Sequence, residues 1–130
     1  MTKQITKTLC CEGFEITYEL RLLGEDLLLL VSGGTEHVGS VALALPRESL
    51  LGDGSKSSTS SVLNAPSHKD EFIIRSLAER LSTLSGHRVA AVGGVHFDAL
   101  DKAGLAAVAK IETIATEQAA SWLQELNLLK

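Results

Sequence analysis

Two short segments combine a glycine pair with a nearby histidine, a combination that suits a ligand-binding site. They are Gly33-Gly34-Thr35-Glu36-His37 and, sixty residues later, Gly93-Gly94-Val95-His96-Phe97-Asp98. Glycine permits positive φ angles and lets the backbone approach another group closely. Histidine changes its charge near neutral pH and also binds metals. We predict that both segments contribute to one site, although two ordinary turns with solvated histidines would show the same pattern.

A third candidate segment lies at a predicted helix start. Ser67 is a favourable N-cap residue, and His68 and Lys69 follow it directly. A helix N-terminus exposes free N–H groups that attract anions, so these three residues could bind a phosphate or a carboxylate. Asp70 and Glu71 oppose this interpretation, because they already place negative charge in the first turn.

The histidines also raise an alternative from enzyme chemistry. His37 and His96 could bind a divalent metal together with a neighbouring carboxylate, although their spacing matches no established metal motif. A nucleophilic enzyme would need a serine or cysteine beside a base. The sequence has no GxSxG turn, and the adjacent Cys10 and Cys11 lie in a predicted strand. The residues alone therefore predict a small polar or anionic ligand near the two glycine–histidine segments.

Hydrophobic periodicity predicts the elements that position these segments. Alternating or continuous apolar patterns typical of strands occupy residues 5–11, 14–22, 27–31, 38–45 and 89–92. Apolar residues at helical spacing follow Ser67 and again follow Lys102. The pattern indicates an α+β two-layer sandwich with a mainly antiparallel sheet and two helices, in the order β-β-β-β-α-β-α. We expect residues 1–130 to form a single domain.

Residues 52–67 differ in composition from the rest of the chain. They include Gly52 and Gly54, and six hydroxyl side chains fall among residues 55–61. No long apolar side chain appears before Val62. Such a composition favours a mobile surface loop, and a long loop in a compact protein is usually either functional or disordered. We expect its hydroxyls to lie near a polar ligand.

Composition excludes several classes of partner. The net charge is −4 and no basic run is present, so binding to nucleic acid is not expected. The longest apolar run, residues 27–31, is far too short to span a membrane, and no basic leader opens the chain. Neighbouring cysteines in a strand point to opposite faces, so Cys10 and Cys11 are not expected to form a disulfide. These features predict a cytoplasmic protein.

The candidate segments resemble the motifs of the prenylated flavin chaperone family. Its members are small accessory proteins associated with gallate- and hydroxyarylic-acid-type decarboxylases. The similar segments are Gly34-Thr35-Glu36-His37-Val38-Gly39-Ser40, Pro66-Ser67-His68-Lys69-Asp70 and Gly94-Val95-His96-Phe97-Asp98. Their order and spacing match from the first hairpin to the last helix. The resemblance also implies a fold related to small proteasome-assembly chaperones, which often dimerise.

The resemblance implies a function and a set of binding residues. It implies a non-catalytic homodimer that binds prenylated FMN or FMN and delivers it to a UbiD-type decarboxylase. His68, Lys69 and the glycine backbones would hold the phosphate, and His37, His96 and Asp98 would contact the ring or a shared divalent metal. The implied cofactor-binding residues are Gly33, Gly34, Thr35, His37, Ser67, His68, Lys69, Gly94, His96 and Asp98. The alternatives are the small metal-dependent enzyme and an assembly partner without a ligand.

Overall fold

The computed structural model describes residues 2–65 and 71–129, which form six strands and two helices. The strands are β1 (Gln4–Cys11), β2 (Phe14–Leu23), β3 (Asp26–Gly34), β4 (Ser40–Glu48), β5 (Lys56–Asn64) and β6 (Val89–His96). The helices are α1 (Glu71–Ser85), between β5 and β6, and α2 (Lys102–Glu125), which follows β6. Among the residues that the structure describes, no helix is long and apolar enough to cross a membrane.

All six strands belong to one mixed sheet in the order β1-β2-β3-β6-β4-β5. Hairpins join β1 to β2, β2 to β3 and β4 to β5, so these pairs are antiparallel, and β4 is also antiparallel to β6. Helix α1 carries the chain from β5 to β6, and β6 pairs with β3 in parallel. The carboxyl ends of β3 and β6 therefore lie side by side at one edge of the sheet.

Both helices pack on the same face of the sheet and form the core with it. Alternate residues of β2 are buried, as the apolar–polar pattern predicts for a strand with one covered face. In α2 the buried stripe includes Val108, Ile111, Ala115, Ala119 and Trp122. Small alanines let this helix approach the sheet closely, and the Trp122 ring lies 5.4 Å from the ring of Tyr18. The predicted α+β class with a mainly antiparallel sheet is confirmed.

The prediction of a loop over residues 52–67 was wrong for residues 56–64, which form β5. The predicted element order therefore lacked one strand. Two of the β5 side chains that face α1, Ser58 and Ser60, form hydrogen bonds in place of apolar contacts. Ser58 Oγ donates to the Glu79 carbonyl oxygen at 2.9 Å, and Ser60 Oγ donates to Glu79 Oε2 at 3.0 Å. These bonds explain why a strand with little apolar character packs beside a helix.

The second glycine pair was also predicted at the wrong place relative to its strand. The sequence places it after a short strand over residues 89–92, whereas β6 continues through both glycines to His96. Gly93 and Gly94 pair with Val31 and Ser32 of β3, so both glycines lie within the parallel ladder. The ladder tolerates them because neighbouring strands supply their backbone partners.

Candidate functional site

The two glycine–histidine segments meet at the edge where β3 and β6 end. Gly33 lies opposite Val95 and Gly34 lies opposite His96 in the parallel register. The imidazole rings of His37 and His96 have centroids 6.4 Å apart and planes at 82°. Carboxyl ends of neighbouring parallel strands are a common position for ligand sites, because the loops that follow them converge there. The repeated motif in the sequence thus becomes one continuous feature of the surface.

Gly34 is required by the turn that leaves β3. Its φ angle is +66°, in the left-handed region that favours glycine, and a Cβ atom there would overlap the carbonyl oxygen of His96. The same carbonyl accepts a hydrogen bond from the backbone N–H of Thr35 at 2.9 Å. Gly34 therefore brings the segment that carries His37 against the end of β6.

Gly94 is required by the ring of His37. A Cβ atom on Gly94 would lie 2.5 Å from His37 Nε2 and 2.7 Å from Cε1, so the ring occupies the space that a side chain would fill. His37 Nδ1 lies 3.0 Å from the carbonyl oxygen of Thr35. Since a carbonyl only accepts, Nδ1 carries the proton that it donates, and this bond fixes the ring's orientation.

His96 is oriented by a carboxylate. Its Nε2 lies 3.0 Å from Asp98 Oδ1, so the N–H donates to Asp98. Both side chains are open to solvent, with relative exposures of 56% for His96 and 89% for Asp98. A side-chain contact this exposed adds little to stability. Its effect is to direct the imidazole, which leaves the other ring nitrogen, Nδ1, to face other groups.

The sheet face opposite the helices carries two neighbouring pockets at this edge. One has a volume of about 330 Å³, and its polar lining includes Glu15, Thr17, Ser32 and Glu36. The other has a volume of about 340 Å³, and its lining includes Glu19, Leu30, Ser32, Glu36, His37 and Val38. Ser32 and Glu36 line both pockets, so the two form one extended depression beside His37.

The depression is acidic. Three glutamates, Glu15, Glu19 and Glu36, supply carboxylates to its lining, and no lysine or arginine is among the described residues that line it. Carboxylates accept hydrogen bonds from N–H and O–H donors and repel a phosphate. The described part of the site therefore suits the uncharged, donor-bearing portion of a ligand.

The predicted anion-binding residues Ser67, His68 and Lys69 lie outside the described residues. The chain approaches that segment from the candidate site, because the backbone N–H of Ala65 donates to the carbonyl oxygen of Gly39 at 2.8 Å. It resumes in α1 at Glu71, whose Oε2 accepts a hydrogen bond from Asn64 Nδ2 at 3.3 Å. The prediction of an anion site there stays a prediction.

A metal site finds no support. Within residues 2–65 and 71–129, no three histidine, cysteine, aspartate or glutamate side chains come together in a way that could hold a metal ion. His37 and His96 are close, but each already uses one ring nitrogen to contact a protein oxygen. Two histidines held in this way do not supply the three or four ligands that zinc and similar metals require.

Most predicted site residues gather at the shared edge. Those described there are Gly33, Gly34, Thr35, His37, Gly94, His96 and Asp98. Sequence reasoning missed the pocket floor, which consists of Glu15, Thr17 and Glu19 on β2 with Ser32 on β3. The sequence feature that could have identified them is the set of polar residues that alternate with apolar ones along β2. Without the sheet order, these polar residues resemble an ordinary solvent-exposed face.

Fold and site together define a small α+β protein whose candidate ligand site lies at one edge of a mixed sheet. The chain belongs to the family described as prenylated flavin chaperone LpdD-like domain, whose model matches residues 10–124. It is also similar to Protein LpdD of Lactiplantibacillus plantarum, with 30% identity over 118 residues that cover 86% of this chain and 79% of that protein. The predicted family is confirmed, and it is a family of chaperones rather than enzymes.

A solved structure supports the predicted relationship of the fold. The chain superposes with a TM-score of 0.52 on a chain from the crystal structure of a novel chaperone complex for yeast 20S proteasome assembly. The match covers 96% of this chain and 99% of that chain at 14% sequence identity. At this identity the likeness shows a shared fold and nothing about ligands or partners.

Proposed function

We propose that this chain binds prenylated FMN, or FMN itself, and delivers it to a UbiD-type decarboxylase in the cytoplasm as a homodimer. The observation that carries the proposal is the convergence of His37 and His96 beside an acidic depression, in a chain of the prenylated flavin chaperone family. Family membership supports prenylated flavin as the ligand, and the geometry supports the position of its binding site.

The depression suits the ring and sugar-alcohol portion of a flavin. Its two pockets have volumes of about 330 and about 340 Å³, and both fall within the range of about 300–1,000 Å³ typical of small-molecule sites. The flavin ring has an N–H donor and the ribityl chain has hydroxyls, which the carboxylates of Glu15, Glu19 and Glu36 can accept. The His37 imidazole provides a flat surface for the edge or face of the ring.

The phosphate of the flavin needs a different part of the site. The carboxylates of the depression would repel it, so it must point away from Glu15, Glu19 and Glu36. In this proposal Ser67, His68 and Lys69 bind the phosphate. This assignment rests on their residue types and on the family resemblance. The assignment agrees with the hydrogen bond from the Ala65 N–H to the Gly39 carbonyl oxygen. This bond places Ala65, two residues before Ser67, beside the loop that carries His37.

Native mass spectrometry under anaerobic conditions tests the cargo. The chain is co-expressed with a flavin prenyltransferase and purified without exposure to oxygen. We expect a bound mass equal to prenylated FMN, and we expect Gly94→Val to lose it because the new side chain displaces His37. Protein that is folded and carries no flavin under these conditions would favour the assembly partner without a ligand.

A transfer assay tests delivery. Flavin-loaded chain is mixed with a UbiD-type decarboxylase that was produced without prenylated flavin, and decarboxylation is followed over time. We expect the loaded chain to activate the enzyme faster than the same concentration of free prenylated FMN. Equal rates would mean that the chain stores the flavin without delivering it.

A further inference from the structure

A buried tyrosine hydroxyl lies between the sheet and the two helices. Tyr18 of β2 is only 1% exposed, and its ring packs beside the Trp122 ring of α2. The Tyr18 hydroxyl has no hydrogen-bond partner among the residues that the structure describes. Buried polar groups in folded proteins are nearly always paired, with protein groups or with ordered water, because an unpaired one is costly. Since the packed ring cannot turn its hydroxyl out to solvent, a partner has to reach it inside the protein.

Tyr18 lines a small cavity between the sheet and the helices. The cavity has a volume of about 10 Å³, and its lining includes Ser76 of α1 with Glu112, Ala115 and Thr116 of α2. This volume is close to the smallest that holds one water molecule. It is far below the volume of a site for an organic ligand. Size therefore limits the occupant to a water molecule or an ion of similar size.

The lining of the cavity contains enough polar groups to hold a water molecule. A buried water typically forms about three hydrogen bonds, whereas cavities with an apolar lining stay dry. Here four of the lining side chains carry oxygen atoms, those of Tyr18, Ser76, Glu112 and Thr116. They come from β2, α1 and α2, so hydrogen bonds can form on several sides of one occupant. The polar lining therefore favours a hydrated cavity over a dry one.

The donors and acceptors of the lining match a water molecule better than a cation. The Tyr18 hydroxyl can donate to the water oxygen, and the Glu112 carboxylate and the Ser76 hydroxyl can each accept a water O–H. Thr116 Oγ1 already donates to the backbone carbonyl of Glu112 at 3.0 Å, so toward the cavity it can only accept. A cation would bind the Tyr18 oxygen and leave the hydroxyl proton without an acceptor. Water is thus the occupant that satisfies this hydroxyl.

We infer that this cavity is a binding site for one water molecule, which joins Tyr18 of β2 to Glu112 of α2 and Ser76 of α1. Leu77 and Ala115, which also line the cavity, are apolar and pack without directional bonds. The water adds hydrogen bonds of defined direction at the point where the sheet and both helices meet. Because Ser76 lies in the second turn of α1, the water holds the first half of this helix in place. The inference does not depend on the proposed flavin.

High-resolution crystal structures of the natural chain and of Tyr18→Phe test the site directly. In the natural chain we expect one density peak within about 2.7–3.2 Å of the Tyr18 hydroxyl oxygen and of a Glu112 carboxylate oxygen. In Tyr18→Phe the peak should weaken or vanish, because the water loses one of its partners. A direct hydrogen bond between Tyr18 and Glu112, a cavity without density, or a peak that is unchanged in Tyr18→Phe would overturn the inference.

The stability of Tyr18→Phe distinguishes a bridged hydroxyl from an unpaired one by its sign. If a water pairs the hydroxyl, the substitution breaks a hydrogen bond, and the equilibrium constant of unfolding should rise about fivefold or more. If the hydroxyl is unpaired, the substitution removes an unfavourable burial, and this constant should stay equal or fall. Urea denaturation measures the constant, and circular dichroism confirms that the variant is folded. A variant at least as stable as the natural chain would contradict the water site.

Matched serine variants test the connection to α1. Ser76→Ala removes a partner of the water, whereas Ser121→Ala removes an exposed hydroxyl of α2 that does not line the cavity. Both changes replace a helical serine by alanine, so they share the same gain in helix propensity. Amide hydrogen exchange over residues 73–77 should be about fivefold or more faster in Ser76→Ala than in Ser121→Ala. Equal exchange in the two variants would show that the water does not join α1 to the other elements.

Discussion

The glycines at the candidate site act mainly by leaving space for neighbouring groups. Gly94 is the clearest case, because its missing Cβ makes room for the His37 ring, which lies 2.5 Å from where that atom would be. Gly94→Ala should therefore destabilise the protein by about 1–3 kcal/mol, the usual cost of inserting an atom into packed space. In a His37→Ala background the same change should cost almost nothing. Chemical denaturation of all four proteins of this double-mutant cycle gives the coupling energy.

The coupling energy distinguishes a local clash from a general effect of the glycine. A cost of Gly94→Ala that is equal in both backgrounds would show that the β6 backbone, and not His37, requires glycine there. FMN binding measured on the same four proteins should fall whenever the His37 ring is displaced or removed. A Gly94→Ala variant with normal FMN binding would argue that the ring's position is unimportant to the ligand.

The phosphate assignment leads to a prediction about two side chains. Lys69→Ala or His68→Ala should weaken FMN binding by about 1–3 kcal/mol, which is the scale of a charge-assisted hydrogen bond. Riboflavin lacks the phosphate, so its binding should weaken much less. Isothermal titration with both ligands makes this comparison. Equal losses for FMN and riboflavin would show that these residues do not contact the phosphate.

Glu112 provides a prediction about pH that is independent of the flavin. This residue of α2 lies beside Tyr18, Ser76 and Thr116 at a small cavity between the sheet and the helices. Burial raises the pKa of Glu112 to about 6. Burial, and secondarily the charge of Glu112, also raises the pKa of Tyr18, whose buried hydroxyl has no hydrogen-bond partner among the described residues. The ionised carboxylate of Glu112 therefore has a lower free energy in the unfolded chain than in the folded protein.

The sign of the resulting pH dependence follows from proton binding. Between about pH 4.5 and 6 the folded protein holds the Glu112 proton more tightly than the unfolded chain does. The free energy of unfolding should therefore fall as pH rises through this window. Glu112→Gln should stabilise the protein at pH 7 by about 1 kcal/mol, a value reduced from the full shift because the carboxylate is partly solvated.

Urea denaturation at pH 4 and pH 7 checks this prediction. The gain from Glu112→Gln should appear at pH 7 and nearly disappear at pH 4, where the carboxyl is mostly protonated in both states. Glu117→Gln, which removes an exposed carboxylate from the same helix, is the matched control and should show no such difference. A gain of equal size at both pH values would mean that the amide makes new contacts.

At the scale of elements, β5 shows where sequence patterns fail and why. The apolar stripe of α2 and the alternation of β2 are encoded locally, and the structure buries the predicted positions. Two of the inward positions of β5 are instead serines, Ser58 and Ser60, which pack against α1 through hydrogen bonds to Glu79. Nothing in residues 56–64 alone identifies that partner. The parallel pairing of β3 with β6 is equally non-local, and it determines which polar residues form the pocket floor.

The hydrogen bonds of β5 can be tested by substitution. Ser58 both donates to the Glu79 carbonyl and accepts from Thr83 Oγ1 at 3.0 Å. Ser58→Ala should therefore cost about 1–3 kcal/mol, because it leaves partly buried partners without their bonds. Ser61→Ala on the opposite side of the same strand should be nearly neutral. Amide hydrogen exchange should show faster opening of β5 in Ser58→Ala, and unchanged exchange would mean that strand pairing alone holds β5.

At the scale of the whole molecule, the proposed flavin site lies on the sheet face opposite the helices, which also exposes Leu30, Val41 and Leu43, so a homodimer formed through that face would couple its assembly to flavin binding. If docking of a second copy encloses the flavin, then FMN must strengthen the dimer by the same factor by which the dimer strengthens FMN binding. The natural chain is diluted until part of it dissociates, and saturating FMN is then added. Sedimentation should show a rise in the dimer fraction, and Leu43→Lys, which places a charge on the same sheet face, should both dimerise and bind FMN more weakly. A dimer fraction that stays constant while FMN binds would show that the ligand site is complete within one chain.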